Sequence, residues 1–189
     1  NQVGPIALLV LVSPTYQGFA ADLTALVAIA HGKGIAVLVD EAHGAHFSFA
    51  SNLPTAAVAA GADLVVQSLH KALGGLAQTA ALHLQGRRVQ LEQLERALLW
   101  LQTSSTSALL LLSAEQAVAR SSSAPGRCQL QVCLKQASDL AAALQREGVP
   151  LLQNQDPLRL IFHSALWGLS GIAADEWLMA RGIVAECPE

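Results

Sequence analysis

Asp40, His43, His46 and Lys71 are the residues whose types and spacing could do chemistry in this chain. Asp40 ends an apolar run, and a carboxylate there is costly to bury without a cationic or hydrogen-bonding partner. It reads either as a cap or turn residue or as the partner of a cationic ligand group. His43 and His46 invite a metal, but no third ligand has supporting spacing, so no zinc site is expected. Each histidine alone reads equally well as a satisfied core or loop residue. Asp40-Glu-Ala-His43 also mimics a helicase box, yet that reading needs an upstream G-x-x-x-x-G-K-[ST] phosphate loop, and none lies in the chain. Lys71 follows the apolar Leu64-Val-Val66 through Ser68-Leu-His70 and precedes Gly74-Gly75. Lysines are mostly solvated. One held in a partly desolvated cleft, beside glycines that let backbone or ligand approach closely, becomes a usable amine nucleophile.

The elements that must position these residues follow from hydrophobic pattern. Ile6 to Val12 is a continuous apolar run and predicts a fully buried strand of a parallel sheet. Ala21 to Lys33 predicts a helix, with Leu23, Leu26, Val27 and Ala30 on one face and Gly34 at its end. Ile35 to Val39, Leu64 to Val66 and Thr79 to Leu84 predict further strands, and Thr55 to Ala60 a short helix closed by Gly61. Alternating strands and helices predict an α/β fold with a mainly parallel sheet and flanking helices. Ligand sites in such sheets form just past the carboxyl ends of the strands, where Ser13 to Gly18, Asp40 to His46 and Ser68 to Lys71 stand. Val89 to Leu101, Ser107 to Arg120, Gln129 to Glu147 and Ala173 to Arg181 predict helices, with Ser121 to Gly126 a loop. Pro157 to Phe162 predicts the first strand of a smaller α+β unit, and Ile183-Val184 the start of another. The expected division is 1–120, part of a major domain, and 121–189, a connecting helix and a truncated small domain.

The 189 residues carry a formal charge of -3, and with 52% hydrophobic and only 13% charged residues a disordered tail is excluded. So few charges suggest surface normally covered by further chain or a second subunit. The start at Asn1 suggests a segment of a longer protein. Scattered basic residues give no nucleic-acid or membrane footprint, and no apolar run is long enough for a bilayer. Cys128, Cys133 and Cys187, an odd number without metal-like spacing, read as free thiols of a reducing cytoplasm.

Val39-Asp-Glu-Ala-His-Gly-Ala-His46, with Gly61-Ala-Asp-Leu-Val-Val-Gln-Ser-Leu-His-Lys71 after it, resembles the major domain of the ornithine/lysine/arginine decarboxylases. These are pyridoxal-phosphate (PLP) enzymes of the aspartate-aminotransferase (type I) fold. Ser13 to Gly18, Leu101 to Ser107, Asp156-Pro-Leu-Arg-Leu160 and Gly168-Leu-Ser-Gly171 match further family segments in order, so the resemblance covers nearly the whole chain. It implies decarboxylation of lysine, arginine or ornithine to the amine, a polyamine precursor. It implies Lys71 as the Schiff-base lysine, Asp40 opposite the pyridine nitrogen, and Ala42 and His43 against or near the ring. Ser68 and His70 would contact the cofactor phosphate, with Thr15 also at the cofactor. Thr103, Ser104 and Ser105 would reach the phosphate site of a neighbouring subunit, since the family builds its site across a homodimer. Leu69 departs from the family's small polar residue, Thr106 from a frequent proline, and Trp167 sits in a glycine-rich turn. Leu69 is therefore expected to alter phosphate contacts. The ring-stacking side chain and other phosphate ligands would lie upstream of this segment, which alone would be inactive. An aminotransferase, an aldolase-type lyase, a helicase-like module and a non-catalytic relative remain as alternatives.

Overall fold

The computed structural model describes residues 5–186, so Cys187 lies outside the described residues. Four strands form one sheet in the order β1 (Leu8–Val12), β2 (Ala36–Asp40), β3 (Leu64–Ser68), β4 (Ala80–Leu84). β1, β2 and β3 are parallel and β4 returns antiparallel to β3. The fold is thus α/β with a mixed, mostly parallel sheet. Its register aligns Val12 with Asp40 and Asp40 with Val66, so the chemistry-bearing strand ends open at one edge.

Between β1 and β2 runs helix α1 (Leu23–Gly32), started by Asp22, whose carboxylate accepts the Ala25 N–H at 3.0 Å. Its Leu23, Val27 and Ala30 meet Val37, Val39 and Val65 of the central strands in the main core. These side chains recur at the helical period, and their burial, not helix propensity, holds so short a helix in place.

β1 departs from expectation. Leu9 and Leu11 pack on the core, but Leu8, Val10 and Val12 are exposed, Val10 by 58%. The strand stands at one end of the described sheet, where a helix covers only one of its faces. The helix expected over Thr55 to Ala60 is a turn over Ala57–Gly61 instead. So short an alanine-rich stretch does not repay helix nucleation, and Gly61, at φ +89°, closes it.

After β3 comes α2 (Leu69–Ala72), a single turn carrying Lys71, and after β4 come α3 (Leu91–Leu101), α4 (Ala108–Ser122) and α5 (Ala124–Arg146). The loop expected over Ser121 to Gly126 shrinks to Ser123 alone. Its hydroxyl accepts the Gly126 N–H at 3.1 Å and starts α5, with Pro125 in the first turn, where a missing N–H costs nothing. Serine and proline there mark a helix start, not a loop.

The strand expected over Pro157 to Phe162 is only β6 (Ile161–Phe162), paired with β5 (Leu151–Leu152). Asp156 accepts the N–H groups of Leu158 and Arg159, which curls the residues after Pro157 into a turn. α6 (Gly171–Met179) follows, capped by Ser170. Ile183 and Val184 form no strand among the described residues; the Ile183 N–H bonds back to Leu178 O in the helix-terminal turn. No helix among the described residues is long and apolar enough to cross a membrane.

Candidate active site

Three loops leave the carboxyl edge of the sheet and are tied together through the backbone. The Ser13 N–H reaches Asp40 O at 3.0 Å, and the Glu41 N–H reaches Val66 O at 2.8 Å. Beneath the edge lies a buried polar network that the sequence reading passed over. Glu41 is fully buried; its Oε1 accepts the Ala57 N–H at 2.7 Å and its Oε2 accepts Gln67 Nε2–H at 2.6 Å. Gln67 Oε1 in turn meets His83 Nε2 at 3.0 Å. Burial pushes the Glu41 carboxyl above the ordinary range, although those two donors and His46 pull it down. Glu41 therefore bolts the end of β2, which carries Asp40, to the end of β3, which carries Ser68.

On the open side, the half-buried Asp40 commits one oxygen to the Ala42 N–H at 3.0 Å. His43 is the centre of a cluster. Its Nε2 lies 3.2 Å from Lys71 Nζ, its Nδ1 lies 3.3 Å from Arg159 Nη2, and its ring meets Tyr16 edge-on at 5.0 Å. Burial lowers the His43 pKa, and the positive charges of Lys71 and Arg159 lower it further against the opposing pull of Asp40 and Glu186. The Arg159 guanidinium also sits 5.5 Å from the Tyr16 ring centroid and 3.8 Å from the Glu186 carboxylate, to which the Tyr16 hydroxyl donates. Tyr16, Arg159, Phe162, Asp175, Leu178 and Glu186 line a cleft beginning beside His43.

Lys71 itself is exposed, not desolvated as expected. Its one-turn helix is held from behind. Leu69 and Leu73 pack with Ala45 and Ala117 in a second core, so Leu69 faces the interior and not a ligand, against expectation. Arg120 Nη2 donates to Leu73 O at 3.0 Å. A Cβ on Gly74 would stand 2.7 Å from Arg120 Nη2, and one on Gly75 would stand 2.5 Å from Thr79 Oγ1. The close approach that these glycines permit is thus to the protein's own side chains.

The other expected site residues are placed as follows. Ser68 precedes α2, and its side chain makes no capping bond there. His70 donates Nδ1–H to Thr79 O at 2.9 Å, which leaves Nε2 as the ring's second polar atom. Thr15 Oγ1 accepts the Phe19 N–H at 3.2 Å and closes a local turn. Thr103, Ser104 and Ser105 are exposed beyond α3, where the Ser105 N–H donates to Thr103 Oγ1 at 3.2 Å. Ala42 gives its N–H to Asp40 and His43 touches the cleft residues Tyr16 and Arg159, while His46 turns inward and lies 3.3 Å from buried Asp156.

Two residues at the heart of the cluster had no assigned role in the sequence, Arg159 and Tyr16. Both lie inside segments that carry the family resemblance. The one further signal was a charge between apolar neighbours, Leu158-Arg-Leu160. Folding brings it in: the Asp156 and Gln155 N–H groups both bond Gly18 O, and Asn154 Nδ2 donates to Gln17 O.

Comparison with known proteins gives the family and the fold. The family model described as Orn/Lys/Arg decarboxylase, major domain, matches residues 2–186. The chain is 37% identical over 181 residues to an arginine decarboxylase of Bacillus subtilis, covering 90% of this chain and 37% of the relative. It is 34% identical to an arginine decarboxylase of Bacillus anthracis, over 90% of this chain and 36% of that one. The chain therefore spans little more than a third of the length of these relatives. Among solved structures, the E. coli constitutive lysine decarboxylase superposes with a TM-score of 0.61 at 23% identity, covering 74% of this chain and 20% of that one. A SepCysS–SepCysE N-terminal domain complex superposes with a TM-score of 0.64 at 17% identity, over 94% and 50%. At these identities the two structures speak for the fold alone.

Proposed function

The chain belongs to the Orn/Lys/Arg decarboxylase family, through its major domain, and from that premise we propose that the full-length protein is a PLP-dependent decarboxylase of a basic amino acid. Arginine stands first because the relatives matched over 90% of the chain carry the name arginine decarboxylase, with lysine and ornithine beside it. The observation that carries the reading is that Asp40 ends β2 and Lys71 follows the end of β3 by three residues at the same sheet edge, with His43 Nε2 3.2 Å from the Lys71 amine.

The residues present fit the cofactor by their chemistry. Lys71 supplies a primary amine for a carbonyl carbon. Asp40 supplies a carboxylate whose charge keeps a ring nitrogen protonated. Ser68 and His70 each keep a polar group, Oγ and Nε2, outside their local turn for a phosphate. When bound, PLP supplies the electron sink for the pair left behind as carbon dioxide departs. The chain's own part is to hold the ring proton, orient the amine and present His43 beside it. Thr103, Ser104 and Ser105, exposed and locally bonded, suit delivery to a partner subunit of a homodimer.

The test is the visible spectrum of the full-length protein before and after borohydride, with peptide mass mapping. We expect a cofactor band that converts to a reduced PLP adduct on Lys71, no adduct in Lys71→Ala, and release of amine and carbon dioxide from one basic amino acid. Absence of both band and adduct after added PLP refutes the proposal. A keto acid as product in place of carbon dioxide returns the aminotransferase reading.

A further inference from the structure

The ring of His70 meets a group that can only accept a hydrogen bond. Its Nδ1 lies 2.9 Å from Thr79 O, and a carbonyl oxygen brings no proton, so the proton is on Nδ1. In a neutral ring Nε2 then holds a lone pair and can only accept. A phosphate dianion also presents only acceptor oxygens. The two groups can bond once a further proton lies between them. We propose that His70 is a proton-coupled phosphate ligand: Thr79 O keeps one proton on Nδ1, and a phosphate monoester that lands on Nε2 binds together with one proton taken from solvent. That proton turns a lone pair facing an anion into a charge-assisted N–H···O bond, a strong kind of hydrogen bond.

The backbone holds this acceptor in place. β3 and β4 pair as far as Ser68 with Ala80, which sets Thr79 against the start of α2. Thr79 is buried, and its carbonyl accepts the Leu69 N–H at 3.0 Å beside the bond from His70. Its hydroxyl and its N–H both reach back to Leu76 O, at 2.7 and 3.1 Å. Gln78, just before it, stands at φ +75°, a left-handed conformation uncommon for a residue with a side chain. Among the described residues nothing bonds His70 Nε2. The elements around α2 carry several charged or titratable groups. Lys71 on the turn itself reaches toward His43, Arg120 of α4 holds Leu73 O, and His83 of β4 meets Gln67. Glu115 lies on α4, and Asp40, Glu41 and His46 lie at or after the end of β2. None of these is bonded to His70. The proton on Nδ1 follows from this geometry; the phosphate at Nε2 rests on the reading of Ser68 and His70 under the proposed function.

The experiment is solid-state NMR of ring-15N histidine in the full-length protein freed of cofactor, at about pH 8, above the ordinary histidine value of about 6.5. His70→Gln identifies the signal. Without ligand we expect a protonated Nδ1 and a bare Nε2. PLP should protonate Nε2 as well, and pyridoxal, which lacks the phosphate, should not. The affinity of PLP relative to pyridoxal should fall with rising pH, approaching about tenfold per unit, the slope of one linked proton. His70→Gln, whose amide donates without titrating, should flatten that slope; if this variant folds poorly, the wild-type spectra and slope decide. A bare Nδ1, an Nε2 that PLP leaves bare or that pyridoxal protonates equally, or a flat wild-type affinity ratio overturns the inference. An Nε2 protonated by inorganic phosphate, with no Lys71 adduct from PLP, supports the inference while refuting the proposed function. A Lys71 adduct beside a bare Nε2 does the reverse.

Discussion

Glu41→Ala tests whether the buried carboxylate next to Asp40 is what locks the strand ends that carry Asp40 and Ser68. The substitution leaves the Ala57 N–H and the Gln67 amide, bonded at 2.7 and 2.6 Å, without acceptors in a site of 0% exposure. Each orphaned buried donor costs about 1–3 kcal/mol, so about 2–6 kcal/mol in all, from which relief of the buried carboxylate's desolvation is subtracted. We expect a net loss of about 2–4 kcal/mol, or roughly a 30- to 700-fold loss of amide protection, at about 1.4 kcal/mol per tenfold. Hydrogen exchange read by mass spectrometry on peptides covering 36–42 and 55–68 measures it locally, whatever the rest of the protein does. The pH dependence has a definite sign. Burial raises the folded pKa of Glu41 above its ordinary 4.5, so its contribution to stability is complete below that value and is lost as pH rises through the folded pKa. Glu41→Gln should flatten protection across that window. Wild-type protection of these peptides in Glu41→Ala, or a pH slope that survives Glu41→Gln, refutes the reasoning.

Asp40→Asn should leave cofactor bound to the full-length protein while turnover falls by about two to three orders of magnitude, the scale for a lost preorganised charge; near-normal steady-state rates remove Asp40 from the chemistry. Gly44→Ala should lower the thermal midpoint, since the new Cβ would stand 2.6 Å from Pro14 Cδ and 2.8 Å from Glu41 Cγ. An overpacked site of this kind costs about 1–3 kcal/mol, and an unchanged midpoint shows that the loop can give. Asp63 has its pKa lowered: burial pushes it up, but the Val37 N–H, His31 and Arg88 together outweigh that. Its stabilisation is present above the ordinary 3.8 and is lost as pH falls through the folded pKa, so Asp63→Asn should flatten the acid limb of an unfolding titration; an unchanged limb assigns acid sensitivity elsewhere.

Strand and helix patterning made the sheet edge legible in the sequence. Asp40, His43, Ser68 and Lys71 end, or lie just past, apolar runs, and such runs end where the buried sheet meets the open edge. The motif spacing carried the family resemblance because it lies in contiguous segments. Patterning misjudged the places where a neighbour decides. β1 is as apolar as a central strand, yet half of it faces open space because nothing in the described chain covers it. Leu69 looked like a substitution in a ligand site and instead fills a core against α4. Serine and proline around residue 123 carried a loop signal that a helix start satisfies equally.

What the sequence by itself determined is the set of candidate groups: a lysine and an acid after consecutive parallel strands, with a histidine between them. Only the tertiary structure decided their surroundings. It buried Glu41 under the edge, brought Arg159 against His43 from far along the chain, and left Lys71 exposed. The reason is that side-chain type and local period are written residue by residue. Burial and a shifted pKa belong to pairs of groups that meet only when distant segments pack.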